Sequence, residues 1–317
     1  ICVCALLLGG CQRVSDGVGD RFKVRIEGRW GFIDGAGKLV IPARFDAVDD
    51  FSEGLACVVT GDERGYIDRQ GKLVIQTRAE EIWGFNEDLA EVKVDGKLGF
   101  IDRQGTVVLT PPYDDIWDFS EGLARVKVGD KWGYMDTTGQ LVIPALYEDV
   151  GYFHEDLALV EVADKMGFID KRGHVVIAPQ YEDASFFHEG LALVKTEGKY
   201  GFIDKTGQMV IAPVYESAGL YAEGLAVVCE AGQWGFIDRS GRWVIAPQYE
   251  AAAFFEEGRA RVQKDGQWGF VDARGQLVVA PQFDEAANYS GGLASVRIGS
   301  KWGYIDLQGR WVWEPTE

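Results

Sequence analysis

The sequence predicts an all-β chain, a repeat array of nine three-stranded units stacked as an open, solenoid-like array; the alternative is a closed β-propeller. Three observations predict it. A Gly, an Asp and a second Gly recur nine times, from Gly31, Asp34 and Gly37 to Gly303, Asp306 and Gly309, always 34 residues apart. Glycine is abundant, at 41 residues, and no unit holds an apolar period of 3.6 long enough for a helix, which removes the paired-helix repeats of the same length. Each unit instead holds short alternating apolar segments parted by turn residues.

The chain opens on a different kind of segment. Residues 1–10 (ICVCALLLGG) form an apolar run ending in small residues, like the h-region and cleavage site of a secretory signal, and too short to span a bilayer. Leu8-Gly9-Gly10-Cys11 resembles the lipobox of bacterial lipoproteins. The resemblance implies cleavage before Cys11 and a lipid on its thiol. Residues 1–10 are therefore expected to be the remnant of a lipoprotein signal peptide, and the polar stretch 11–21 a flexible tether. The expected location is the bacterial cell envelope, lipid-anchored, periplasmic or surface-exposed. Gln12 stands where many Gram-negative lipoproteins carry an inner-membrane retention Asp, which by analogy favours the outer membrane.

The array itself occupies 22–317. In its fourth unit the first strand is LARVKV (123–128), with Ala124, Val126 and Val128 on one face and Arg125 and Lys127 on the other. A Gly-Asp turn leads to KWGYMD (131–136), and a TTG turn to QLVIP (140–144). The third strand is apolar on both faces and is expected to be covered. A ten-residue loop, YEDVGYFHED (147–156), then runs to the next unit.

This pattern resembles the WG-repeat family of bacterial proteins, also called KWG repeats. Its motif is W-G-[FY]-[IVM]-D-x-x-G-x-x-V-[IV], then a proline, an aromatic-acidic pair and G-L-A-x-V, and it covers residues 22–317. The resemblance implies an all-β repeat array and no single biochemical activity. Unit two departs most: Arg64 replaces Trp, Gln76 and Thr77 replace the proline region, and Ala79 replaces the aromatic. The end units are also atypical, with Phe22 in the Ala column and Trp311 and Trp313 in the last strand. Bulky residues there are expected to cap an open stack.

Function is narrowed mainly by exclusion. The net charge of −18 makes nucleic acid and anionic lipid poor partners, so membrane contact is expected through the lipid anchor alone. No hydrolase, phosphate-loop or dinucleotide motif occurs, and no enzyme activity or cofactor is expected. The Asp of D-x-x-G reads as a turn residue accepting amide hydrogen bonds. His154 and His188 share a column in adjacent loops, but two ligands fall short of a zinc site, and no metal is expected. Cys57 and Cys229 are expected to remain free thiols.

The eight inter-unit loops are unusual. They hold 26 of the 50 acidic residues and no Lys or Arg. Their second position is always acidic. The candidate binding ridge is Asp46, Glu80, Asp114, Glu148 and Glu182 with Trp83 and Trp117, suited to a cationic protein segment. The expected role is a non-catalytic, lipid-anchored envelope scaffold or protein-binding array. The alternative is a glycan- or peptidoglycan-binding module using exposed aromatics. Unit two, with Arg64, Gln76, Arg78, Glu80 and Glu81, is where a specialised site is expected.

Overall fold

The computed structural model describes residues 20–316. They form nine antiparallel sheets, one per repeat, arranged as the blades of a β-propeller. Blade 1 spans 22–45, blade 2 47–77, blade 3 81–109, blade 4 115–147, blade 5 149–181, blade 6 183–215, blade 7 217–249, blade 8 251–283 and blade 9 285–316. Residues 1–19, which include the segment expected to be a signal remnant, Cys11 and most of the expected tether, lie outside the described residues. No described helix is long and apolar enough to cross a membrane.

Eight sheets have four strands, and the first has three among the described residues. The extra strand comes from the segment expected to be a loop. In blade 4 it is Asp115–Ser120, paired with Leu123–Val128 through Ile116↔Val126 and Phe119↔Ala124. This inner strand borders the central channel. It escaped the sequence reading because its register shifts between Ile116 and Phe119, so its apolar residues do not alternate strictly.

The strand expected to be covered on both faces is instead the outer edge of its blade. In Leu141–Tyr147, Ile143 is buried while Leu141 and Val142 are exposed. Only one side chain of the run reaches the layer between blades. The glycine of WG explains how this edge strand docks. A Cβ on Gly133 would stand 2.4 Å from the Ile143 carbonyl oxygen, a distance no side chain tolerates. The outer strand therefore presses backbone against backbone and bulges between Trp132↔Tyr147 and Tyr134↔Ile143.

The D-x-x-G turns behave as their chemistry dictates. Asp136 accepts from the amides of Thr138 at 2.8 Å and Gln140 at 3.1 Å, and the same pair of bonds recurs from Asp34 to Asp306. The Thr138 hydroxyl is the main cause holding the Asp136 carboxyl below its ordinary pKa.

Closure corrects the preferred open array. Phe22, Val24 and Ile33 of blade 1 share one apolar cluster with Leu293 of blade 9, and Tyr304, Val312 and Trp313 pack against it. The Tyr304 hydroxyl donates to the Lys23 carbonyl at 2.9 Å. The bulky end residues do not cover two free faces: Phe22 and Trp313 cover each other's blade. Sequence alone does not separate these cases, because a cap and a seam both demand large apolar side chains at the ends.

Candidate functional site

The repeat places each residue of the inner strand in a fixed role. The seventh residue of each ten-residue inter-unit segment, from Phe51 to Tyr289, is an aromatic ring inserted against the preceding blade. Tyr134 and Phe153 meet edge to face with centroids 4.9 Å apart, and Phe153 is fully buried. The aromatics of the supposed ridge are thus largely core.

The acidic second position has a local role in all eight blades. Asp46 accepts from the Gly61 amide, Glu80 from Gly96, Asp114 from Gly129, Glu148 from Asp164 and Glu182 from Gly198. Glu216, Glu250 and Asp284 do the same to Gly232, Gly266 and Gly299. Each carboxylate braces the hairpin of its own blade, so all face the same end of the propeller. Some are further paired: Asp46 with Arg29, and Glu148 with Lys131 at 3.6 Å. Trp83 and Trp117 are not in this row. Trp83 borders the channel, and Trp117, 44% exposed, lies under the Arg125 guanidinium at 4.5 Å.

A second acidic column links neighbouring blades. Glu189 accepts from the Gly224 amide at 3.0 Å and pairs with Arg239 at 3.0 Å. Glu53, Glu87, Glu121, Glu155, Glu223 and Glu257 make the corresponding bond to the next blade. This latch was not foreseen. Its signal was present in the fixed E-[GD] before L-A, but sequence alone does not say which amide a carboxylate meets.

The channel is a cavity of about 960 Å³ bordered by inner strands of blades 2 to 9. Its wall has two characters. Tyr152, Phe186, Leu220 and Phe254, half-buried and from four successive blades, form an apolar arc. Beside the arc stands Asp118, whose pKa is raised by burial against the opposing pull of Arg125. Glu256 and Glu285 add carboxylates from blades 8 and 9. Polar side chains cross from blade to blade: Ser52 donates to the Phe85 carbonyl at 2.6 Å, and Ser120 to that of Phe153 at 2.7 Å.

His188 bonds the Tyr221 carbonyl through Nδ1 at 2.6 Å. A carbonyl only accepts, so Nδ1 carries the proton there and Nε2 is left toward the channel. His154 stacks on Phe186 at 4.4 Å, and burial lowers its pKa.

Behind this wall, one column breaks the apolar pattern between blades. Leu159, Leu193 and Val227 occupy it in blades 5 to 7, but Glu91 and Arg125 occupy it in blades 3 and 4. Glu91 is buried and its pKa is pushed up to about 8, by burial first and by Asp118 second. Arg125 donates to the Val150 carbonyl at 2.9 Å and lies over Tyr152 at 3.9 Å. Arg261 repeats the carbonyl bond in blade 8, donating to Ala286 at 2.5 Å, but lies 5.0 Å from Trp268 and itself borders the channel, where it adds a cation to the wall.

Cys57 and Cys229 are buried free thiols. Burial raises both pKa values, the opposite of what a reactive thiolate needs. Among the described residues, one grouping of three metal-type side chains occurs: Glu148, Glu161 and Asp164, within 4.8 Å of one another. Glu148 is already engaged by Lys131 and the Asp164 amide.

A family model described as "WG containing repeat" matches residues 30–63, 65–97, 99–132, 132–165, 166–200, 200–234, 234–268 and 268–302. No curated protein is similar to the chain in sequence. Among solved structures, one described as the eukaryotic initiation factor is 12% identical, with a TM-score of 0.67 over 94% of this chain and 95% of that one. The C-terminal WD40 domain of Sif2 is 12% identical, with a TM-score of 0.45 over 80% of this chain and 92% of that one. Hsv2p of Kluyveromyces lactis is 10% identical, with a TM-score of 0.43 over 85% and 97%. The first likeness supports the architecture and nothing about activity.

Proposed function

Because the chain belongs to the WG containing repeat family, a propeller scaffold of the kind that fits a non-catalytic binding role, we propose that it is an envelope protein-binding module held at a membrane by a lipid on Cys11. One observation carries the binding reading. The channel joins an apolar arc, Tyr152, Phe186, Leu220 and Phe254, to carboxylates at Asp118 and Glu256. Such a wall takes an apolar side chain and a neighbouring cation together, so the partner offers a protruding segment bearing both. The acids bracing the hairpins, Asp46 to Asp284, add a negative field at one end that draws a basic segment in. The Leu8–Cys11 motif supports the anchor.

Site-specific photo-crosslinking tests the reading. A photoreactive side chain is placed at Phe186 in the channel, or at Val142 on the outer edge, in the full chain in its native envelope. The expected result is a discrete crosslinked protein from position 186, lost on Asp118→Asn/Glu256→Gln, and none from position 142. Crosslinks from the outer edge alone would move the binding surface off the channel, and cell-wall glycan in place of protein would favour the glycan alternative. Fatty-acid labelling that survives Cys11→Ala would remove the anchor.

A further inference from the structure

Unit two departs from the other repeats at several positions, and two of those departures empty one place. In blade 7, Trp234 pairs across the sheet with Tyr249, and both pack with Val227. In blade 4, Trp132 and Tyr147 make the same pair. Blade 2 holds Arg64 and Ala79 in these columns and Cys57 in that of Val227. Arg64 faces Thr77 in a register that lacks the bulge between Trp132 and Tyr134. Two large rings are gone, and a cleft of about 280 Å³ opens there between blades 2 and 3.

Its wall is chemically specific. Arg64 is its one cation, half-buried, and no hydrogen bond or ion pair engages its guanidinium among the described residues. Asp49, Glu80 and Glu81 are its anions. Glu80 braces the Gly96 amide at 3.1 Å and Glu81 pairs with Lys93 at 3.0 Å, but a carboxylate has about four acceptor sites and each keeps spare capacity. Ile82 and Trp83 supply an apolar side.

We propose that this cleft binds a free amino acid with a cationic side chain. The guanidinium of Arg64 takes the α-carboxylate, a match of charge and planar geometry. The excess of carboxylates takes the two ammonium groups, and Trp83 takes the methylene chain and favours a cation over its ring. The volume suits it: at roughly 30 Å³ per water the cleft holds about nine waters, close to the size of one such molecule. The site is distinct from the channel, with which it shares only the Trp83 wall.

The test is calorimetric titration of the full chain with L-lysine as the probe. L-lysine is expected to bind, with 1,5-diaminopentane, which lacks the carboxylate, and L-norleucine, which lacks the side-chain cation, each weaker by about tenfold or more. Arg64→Gln should abolish the preference for L-lysine over 1,5-diaminopentane. The double change Arg64→Trp/Ala79→Tyr restores the residues of other blades, so it should fill the cleft, keep the fold and remove binding. No heat with L-lysine at millimolar concentration, or undiminished binding to the filled variant, overturns the proposal. Neither result bears on crosslinking from Phe186.

Discussion

Eight blade junctions share one construction, and the junction that closes the ring has another. At each of the eight, an aromatic of the WG strand meets the ring 19 positions later, from Phe32–Phe51 at 4.9 Å to Phe270–Tyr289 at 4.7 Å. At the closing junction Tyr304 meets Phe22 at 5.5 Å and bonds the Lys23 carbonyl. The glutamate latch also stops there: Gly291 stands where blades 2 to 8 carry Glu, and a Cβ on it would fall 2.0 Å from Asp20 Oδ2. The difference follows from chain connectivity. A regular junction joins groups 19 residues apart, whereas the Tyr304–Lys23 bond spans 281. Loop-closure entropy makes the longer link costlier by roughly 2 kcal/mol. Burying Phe22 and Trp313 at the seam offsets a cost of that size, since each large side chain contributes about 1.5–3 kcal/mol. Residues that resemble end caps are the adhesive of the ring.

The strongest way to break this comparison is to remove one ring at each kind of junction. Phe153→Ala should cost about 3–5 kcal/mol, read as a lower denaturant midpoint. Phe22→Ala should cost less globally but act selectively. Hydrogen exchange should rise in blades 1 and 9 while blades 4 to 6 keep their protection. Equal loosening of every blade by Phe22→Ala would mean that the seam is no weaker than its neighbours.

A second change sharpens the comparison among the regular junctions themselves. Glu91 puts a carboxyl where blades 5 to 7 have Leu159, Leu193 and Val227. Its pKa in the fold, about 8, lies above the ordinary value, so the folded state binds the proton more tightly than the unfolded chain does. The sign follows from linkage: this contribution is fully present below the unfolded value and is lost as pH rises toward 8. Glu91→Gln should therefore leave stability at pH 4 nearly unchanged and raise it at pH 9 by on the order of 2 kcal/mol. Thermal unfolding at the two pH values reads this directly. An equal shift at both would show that Glu91 is ionised throughout.

What the sequence made legible is what a fixed period can carry. The nine units, the D-x-x-G turns and the close approach at WG all follow from residue type and spacing, as Asp136 and Gly133 show. Closure was not legible, because Phe22 and Trp313 satisfy a cap and a seam equally. The inner strand was missed because a register shift hides its alternation, and with it went the channel, whose wall comes from residues such as Tyr152 and Phe254, 102 positions apart in the chain. The acidic columns were visible as columns. Their division into hairpin braces such as Asp114 and inter-blade latches such as Glu189 depends on amides that only the fold brings near.

The smallest expected effect concerns the latch that the seam lacks. Burial by itself would raise the pKa of Glu189, but Arg239 and the Gly224 amide outweigh it and hold the carboxyl below its ordinary range. A depressed folded pKa contributes stability above the unfolded value, near 4.3, and that stability is lost as pH falls through the folded value. Glu189→Gln keeps an acceptor for the Gly224 amide and removes only the charge. With the side chain about a quarter exposed, solvent screening limits the loss to roughly 0.5–1 kcal/mol at pH 7. Thermal unfolding should show the two proteins converging below pH 4. If the gap persisted in acid, the charge would not be what latches the blades. Gly291 would then mark a place where the ring gave up a hydrogen bond and not an ion pair. If the gap closes, seven charged latches, from Glu53 to Glu257, hold seven of the eight regular junctions while the seam relies on apolar packing. Added salt should then weaken the first kind of junction and leave the second nearly untouched.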